Sequence, residues 1–409
     1  MGRRAALDWA RHAAHLLRPS AMPAAGVAFE RDGAERARRL ADAARRRVRD
    51  RSVPKPMRAL EMRPGGRARW RAVPALPPPG PLAAVVRPLA VATCDLDRAL
   101  ALGVSPFPLP LCFGHECVAE VVAVGDRVST VTPGERVVVP FQISCGACPA
   151  CREGRTGNCA AVPPISMYGF GLAGGHWGGA VADELAVPFA DGMLVALPEG
   201  IEPEHAASVA DNVADAWRHV GPHLPALLAR DPAVRVVIVA ALRPHVHSAS
   251  VPLYAGLIAR ALGARDVLLI DARPEVRAQA ADLGLEPVEP QRARTLAPTP
   301  LVIDASTSNE GLQLAIALTA PDGTCSSVGG LYKTATLPFS AMYGRNATLH
   351  VGRTHARAVI PHVLELMREG RLRPELVTTL TAPLDDAPAA LAAHVNSAQT
   401  KTILTRASG

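Results

Sequence analysis

The chain has 409 residues, 49% of them hydrophobic and 20% charged, with 33 Gly and 38 Pro. That length suits two or three domains, and the composition excludes a disordered or fibrous chain. The formal charge of +7 is concentrated at the start: residues 1–56 hold fourteen Arg or Lys against six Asp or Glu, which leaves −1 for residues 57–409. The basicity therefore belongs to an extension, and a nucleic-acid partner is not indicated. No run of eighteen apolar residues occurs, so no membrane span is predicted. The opening MGRRAALDWARHAAH meets Asp8, Arg11 and His12 before the apolar stretch of a signal peptide develops. Four of the eight cysteines crowd into fifteen residues, which is metal spacing and points to a reducing, cytoplasmic setting.

In chain order, AERARRLADAARRRVRD predicts a helix over 34–50, stopped by Pro54 and Pro56. It reads as a solvated arm, with docking on a subunit surface or on a polyanion as alternatives. From Met57 the sequence breaks into short apolar runs between Gly and Pro turns: MRALEMR, LAAVVRPLAVATC, CVAEVVAVG, RVVVPFQI and GGAVADELAVP. These predict a compact β domain. After Glu204 helix and strand alternate: a helix over 205–220, a strand over 235–240, a helix over 253–262 and a strand over 266–271. RAQAADLG, LVIDAS, GLQLAIALTA and CSSVGG continue the rhythm, which predicts a parallel sheet covered on both faces. TLHVG and ARAVIPHVLELMREG follow and are expected to reach the back of that sheet before the chain returns to the first domain.

Cys145, Cys148, Cys151 and Cys159 lie in SCGACPACREGRTGNC. Four thiolates in one short lobe can close a tetrahedron around zinc and pin a loop with too little apolar mass to fold unaided. The spacing alone leaves an iron–sulfur cluster as an alternative. A second constellation comprises Cys94 at a strand end and His115 with Glu116 in CFGHECVAEVVAVG. One Cys, one His and a carboxylate can hold zinc with a position left open for chemistry.

GHExxxxxVxVG followed by PGxRV and CxxCxxCxxxxxxxC resembles the zinc-containing alcohol dehydrogenases of the medium-chain dehydrogenase/reductase superfamily, nearest their formaldehyde-dehydrogenase-like branch. The resemblance covers residues 57–409. It implies an α/β protein: a GroES-like, β-rich catalytic domain over 57–204 and 346–409, with the zinc lobe at 145–159, interrupted by a Rossmann coenzyme domain over 205–345. It also implies a dimer or tetramer that transfers hydride between NAD(H) and a small alcohol or aldehyde. By the same likeness Cys94, His115 and Asp211, the last in SVADNVADAW, match ligands of a catalytic zinc. Glu116 matches the glutamate beside it, and Asp97 an orienting carboxylate. An N-cap role is the alternative for Asp211. Leu96 stands where the family carries the Ser or Thr of a proton relay, and leucine can neither donate nor accept. Either a water, Glu116 or Asp95 replaces it, or the oxidation of simple alcohols is weak.

The nucleotide site departs further. After strand RVVIVA the sequence runs AALRPHVHSASVPLYAG, with no GxGxxG and with Pro252 where the last glycine is expected. Arg243, Ser248 and Ser250 are candidate phosphate partners. Asp271, ending the second strand, is a candidate for the adenosine ribose, which favours NAD over NADP. Arg273 nearby leaves NADP open, and Val328 with Gly329 is expected near the nicotinamide. Tyr168, Phe170 and Trp177 are candidates to line a substrate pocket. A zinc enzyme of this scaffold with altered nucleotide use, and a non-catalytic homologue, are the rival readings.

Overall fold

The computed structural model describes residues 41, 44, 45, 56–105, 107–329 and 334–407. Apart from Ala41, Ala44 and Arg45, the helix expected over 34–50 lies outside them, as does Gly330. No helix among the described residues is long and apolar enough to cross a membrane.

The first half is β-rich. Strand Ala84–Ala92 pairs antiparallel with Glu116–Val124 and, on its other side, with Thr402–Thr405 near the end of the chain. Arg136–Val139 and Val195–Ala196 extend the sheet on one side and Leu380–Pro383 on the other, while Leu185–Val187 also pairs with the central strand. A smaller three-stranded sheet carries Pro56–Arg63 at its centre. The register positions the chemistry: Ala92 faces both Glu116 and Ile403, so Cys94, His115 and Lys401 emerge at one end of three adjacent strands.

The second half is a six-stranded parallel sheet in the order Glu286–Val288, Asp266–Asp271, Arg235–Ala241, Thr299–Asp304, Thr319–Ser327, Thr348–Val351. Alternate residues of its central strands face opposite layers, as strand geometry requires. Val236 and Ile238 pack in a core that includes helices Asn212–Val220, Ser250–Ala261 and Ala356–Arg368; Val237 and Val239 pack towards helix Asn309–Ala317. This is the doubly wound arrangement expected of a Rossmann domain.

Three boundaries differ from expectation. The helix expected over 205–220 is broken: Pro203–Ala206 passes into a 3₁₀ turn, Ala207–Ala210, and a fresh helix begins at Asn212. The helix expected from Gly311 to Ala320 ends at Ala317, and strand Thr319–Ser327 begins earlier than CSSVGG indicates. The segment 346–409 is shared between the two sheets. Thr348–Val351 runs parallel to Thr319–Ser327, and Ala356, Ile360, Val363 and Leu364 pack in the coenzyme-side core. Only from Leu380 does the chain rejoin the first sheet.

Candidate zinc centre and coenzyme cleft

Cys145, Cys148, Cys151 and Cys159 each present a sulfur, all within 4.8 Å of one another, and every cysteine among the described residues is unbridged. The peptide N–H groups of Cys145, Cys148 and Ala160 donate to the sulfurs of Cys159, Cys145 and Cys148 at 3.3, 3.4 and 3.4 Å. Such donors stabilise thiolates. Those on Cys148 hold its thiol down at about 6, the Ala160 N–H being the largest contributor. Sulfurs this close, with no disulfide, suit four-coordinate zinc.

The second cluster is assembled from three parts of the chain. One ligand atom each from Cys94, His115, Glu116 and Asp211 lies within 4.8 Å of the others, and all four residues are buried. Beside His115, Gly114 has φ +93°, and a Cβ there would meet Val181 Cγ2 at 2.8 Å, so the chain entering this strand requires glycine. The imidazole packs between Phe141 and Phe170, with centroids 6.0 and 4.7 Å away. His115 Nε2 lies 3.2 Å from Asp211 Oδ2. Asp211 does occupy the N-cap position of helix Asn212–Val220, yet its side chain makes no capping bond and turns to the histidine instead. Asp97 stands outside the cluster and accepts the Cys94 peptide N–H at 2.7 Å, which fixes the backbone that carries the thiol. Burial pushes its carboxyl up to about 6.

Behind the cluster lies a polar web that the sequence reading missed. Lys401 is fully buried and donates to Glu116 Oε1 and Oε2 at 3.1 and 2.8 Å and to Asn212 Oδ1 at 2.8 Å. The Asn212 amide in turn donates to Asp211 Oδ2 at 3.1 Å and to Cys94 Sγ at 3.5 Å. Burial, and then the charges of Asp211, Asp97 and Glu116, push the Cys94 thiol up. The site is therefore rich in anionic donors, and Lys401 already serves Glu116. A divalent cation restores the balance, and a thiol, an imidazole and carboxylates are the donor set zinc accepts.

Cys94 and Asp211 open onto a cleft of about 590 Å³ between the two sheets. Leu96, Phe107, Phe141, Ile165, Met167 and Phe170 give it an apolar wall. Of the three aromatic candidates only Phe170 lines it. Tyr168 is core, its hydroxyl donating to the Ala186 carbonyl at 2.9 Å, and Trp177 packs against the core.

The chain matches the alcohol dehydrogenase GroES-like domain over residues 80–199 and the zinc-binding dehydrogenase domain over 251–369. A probable zinc-binding alcohol dehydrogenase of Mycobacterium tuberculosis is 32% identical over 348 residues, 81% of this chain and 83% of that one. The chain belongs to the zinc-containing alcohol dehydrogenases of the medium-chain superfamily. The alcohol dehydrogenase of Thermus sp. ATN1 superposes with a TM-score of 0.75 at 30% identity, covering 86% of this chain and all of that one. A glutathione-independent formaldehyde dehydrogenase of Pseudomonas aeruginosa is 38% identical, but over 117 residues, 28% of this chain and 29% of that one. Likeness of that extent does not single out the formaldehyde-dehydrogenase branch. With the zinc cluster, membership of this family makes the protein a zinc-dependent enzyme of the oxidoreductase class, with a catalytic and a structural metal site.

The coenzyme candidates are distributed unevenly. Ser248, Val328 and Gly329 line the cleft. Gly329 has φ +61°, and a Cβ there would meet Val351 Cγ1 at 2.8 Å, so this stretch of cleft lining requires glycine. Arg243 points away, 80% exposed and paired with Glu310 at 3.1 Å. Asp271 is fully buried: Oδ1 accepts the N–H and Nε of Arg273, and Oδ2 accepts its Nη2, at 2.7, 2.9 and 2.7 Å. Arg273 Nη1 donates to the His247 carbonyl at 2.7 Å. Ser250 is bound to Asp95. The end of the cleft bordered by Val328 and Gly329 thus leaves room for a nicotinamide ring, whereas at the phosphate end the polar groups Ser250, Asp271 and Arg273 are already engaged within the chain.

Proposed function

We propose that this family member interconverts an alcohol and its aldehyde, with NAD rather than NADP as the hydride partner. One observation carries the reading: a Cys–His–Asp cluster backed by Glu116 opens, through Cys94 and Asp211, into a deep apolar cleft bordered by Val328 and Gly329. Zinc held there supplies Lewis-acid polarisation of an alcohol or carbonyl oxygen. A nicotinamide dinucleotide, when bound, supplies or accepts the hydride. The chain's own part is to orient and to exclude water. Phe107, Phe141 and Phe170 wall the cleft with apolar surface, and Asp97 and Asn212 hold Cys94 and Asp211 in position. Leu96 offers no relay, Glu116 is sealed against Lys401, and Asp95 lines the cleft with its oxygens already engaged. A proton leaving the substrate oxygen would therefore travel by water.

NAD is favoured because Asp271 keeps the Arg273 guanidinium occupied, leaving it unavailable to a 2′-phosphate. Asp211 in the third ligand position supports a place near the formaldehyde-dehydrogenase-like branch, and the unbridged cysteines support a cytoplasmic location. Calorimetric titration of NAD and NADP into zinc-loaded protein tests the coenzyme. One-to-one NAD binding, tighter than that of NADP, is expected. Absence of binding by folded protein carrying two zincs would overturn the hydride-transfer reading.

The partner is a second copy of the chain. Among the described residues, strand Thr348–Val351 is an open edge of the parallel sheet, and the helix before it, Phe339–Arg345, buries none of its residues. Phe339 and Tyr343 are 74% and 86% exposed beside that edge, a combination that strand-edge pairing between protomers would cover. Light scattering should give at least twice the 42.8 kDa chain mass, and Tyr343→Asp should shift it towards one chain. A monomeric native protein would refute this assembly.

A further inference from the structure

The phosphate end of the cleft holds an anion that belongs to the chain itself. Helix Ser250–Ala261 follows the first strand of the parallel sheet, and in a nucleotide-binding fold the free N–H groups of its first turn receive the diphosphate. Few are available here. Pro252 has no N–H, and the N–H of Leu253 already donates to the Ala249 carbonyl at 3.2 Å. The two that remain, on Ser250 and Val251, donate to Asp95 Oδ1 and Oδ2 at 2.8 and 3.0 Å. The Ser250 hydroxyl also donates to Oδ1, and the Ser248 N–H donates to the Asp95 carbonyl at 3.3 Å.

Asp95 arrives from the other side of the cleft. It follows Cys94 at the head of the segment leading into helix Asp97–Ala101 and lines the cleft it crosses. A carboxylate at a helix N-terminus gains from the dipole and from charge-assisted bonds. A diphosphate needs the same two N–H groups and brings further negative charge to the same place. The two anions cannot share the donors.

Resting on the NAD-linked reading above, we propose that Asp95 determines coenzyme affinity: a dinucleotide seats its diphosphate on helix Ser250–Ala261 only when the Asp95 carboxylate has left it. The segment missing its glycine fingerprint then has a physical correlate. Backbone that would be laid open to a ligand by glycines is instead closed by a side chain from the catalytic half.

The test uses zinc-loaded full-length protein, wild type, Asp95→Ala and Asp95→Asn, titrated calorimetrically with NAD, ADP-ribose and adenosine. Asp95→Ala should bind NAD and ADP-ribose about tenfold more tightly than wild type, and adenosine, which has no phosphate, equally well. The neutral isostere Asp95→Asn should gain about threefold, and it decides the matter if the alanine variant fails to fold or to keep two zincs. Unchanged or weaker binding of NAD and ADP-ribose by a folded, two-zinc variant would overturn the role of Asp95 while leaving an NAD-binding wild type, and so the coenzyme reading, intact. A uniform gain for all three ligands would also overturn it, since general loosening and not competition for the diphosphate seat would be the cause. If neither wild type nor variants bind NAD, the coenzyme reading fails and the proposal fails with it.

Discussion

Asp211→Ala should leave one zinc per chain in place of two and lower kcat/KM about a thousandfold, measured with the best alcohol found in a coenzyme-reduction screen. The magnitude follows from Lewis-acid stabilisation worth several kcal/mol, each 1.36 kcal/mol being a factor of ten. Asp211 is a clean site for the experiment. Its backbone lies between the 3₁₀ turn and helix Asn212–Val220 at φ −145° and ψ −77°, and its side chain caps nothing, so alanine removes no helix cap. What alanine does remove is the carboxylate 3.2 Å from His115 Nε2. Cys94 and His115 then remain beside a Glu116 whose two oxygens are both taken by Lys401. The four-cysteine lobe is built from one local stretch and should keep its metal. Metal analysis and kinetics together check the expectation: two zincs and native turnover would make Asp211 a bystander, and the assignment of the cluster would have to be redrawn.

Legibility of the site from sequence followed the range of the interactions. The cysteine lobe could be read because all four ligands fall within fifteen residues, so spacing alone nearly defines the geometry. Cys94, His115 and Asp211 are far apart in the chain; residue type alone suggests grouping Cys94 with His115 and Glu116, and only the resemblance adds Asp211 to them. The web behind them was invisible. Lys401 lies in the unremarkable string TKTILT, and nothing in that string shows that its ammonium is buried against a carboxylate 285 residues earlier. Asn212 falls inside the helix predicted over 205–220, because HAASVADNVADAW keeps a helical texture through the point where the backbone breaks. The coenzyme residues show the complementary difficulty. A sequence displays donors and acceptors but not their partners. Asp271, Arg273 and Ser250 read as groups open to a ligand, whereas the fold engages them with Arg273, Asp271 and Asp95 respectively. The parallel sheet was easier, because unbroken apolar runs such as RVVIVA and DVLLID, set between helical segments, mark strands buried on both faces.

Lys401→Met should lower the unfolding free energy by about 3–5 kcal/mol, the usual cost of removing one partner from a buried ion pair. The side chain is fully buried, and its contacts to Glu116 Oε1, Glu116 Oε2 and Asn212 Oδ1 use all three ammonium donors. Methionine has similar length and fills the space, so the loss would be electrostatic and not a cavity. Burial already pushes the Glu116 carboxyl up, against the pull of Lys401; with the lysine gone it would take up a proton or stay charged without a partner. Lys401→Met combined with Glu116→Gln should therefore recover at least half of the loss, a non-additivity that chemical denaturation of the four proteins measures directly. A loss below about 1 kcal/mol would mean that the pair is not held as an ion pair. The same variant separates stability from metal binding. Asn212 orients Asp211 and Cys94 while accepting from Lys401, so removal of the lysine should also weaken zinc at the cluster about tenfold or more, as loss of outer-shell partners does elsewhere. A fall in stability with unchanged zinc affinity would confine Lys401 to the packing of the two halves. A fall in both would place it among the residues that aim the ligands.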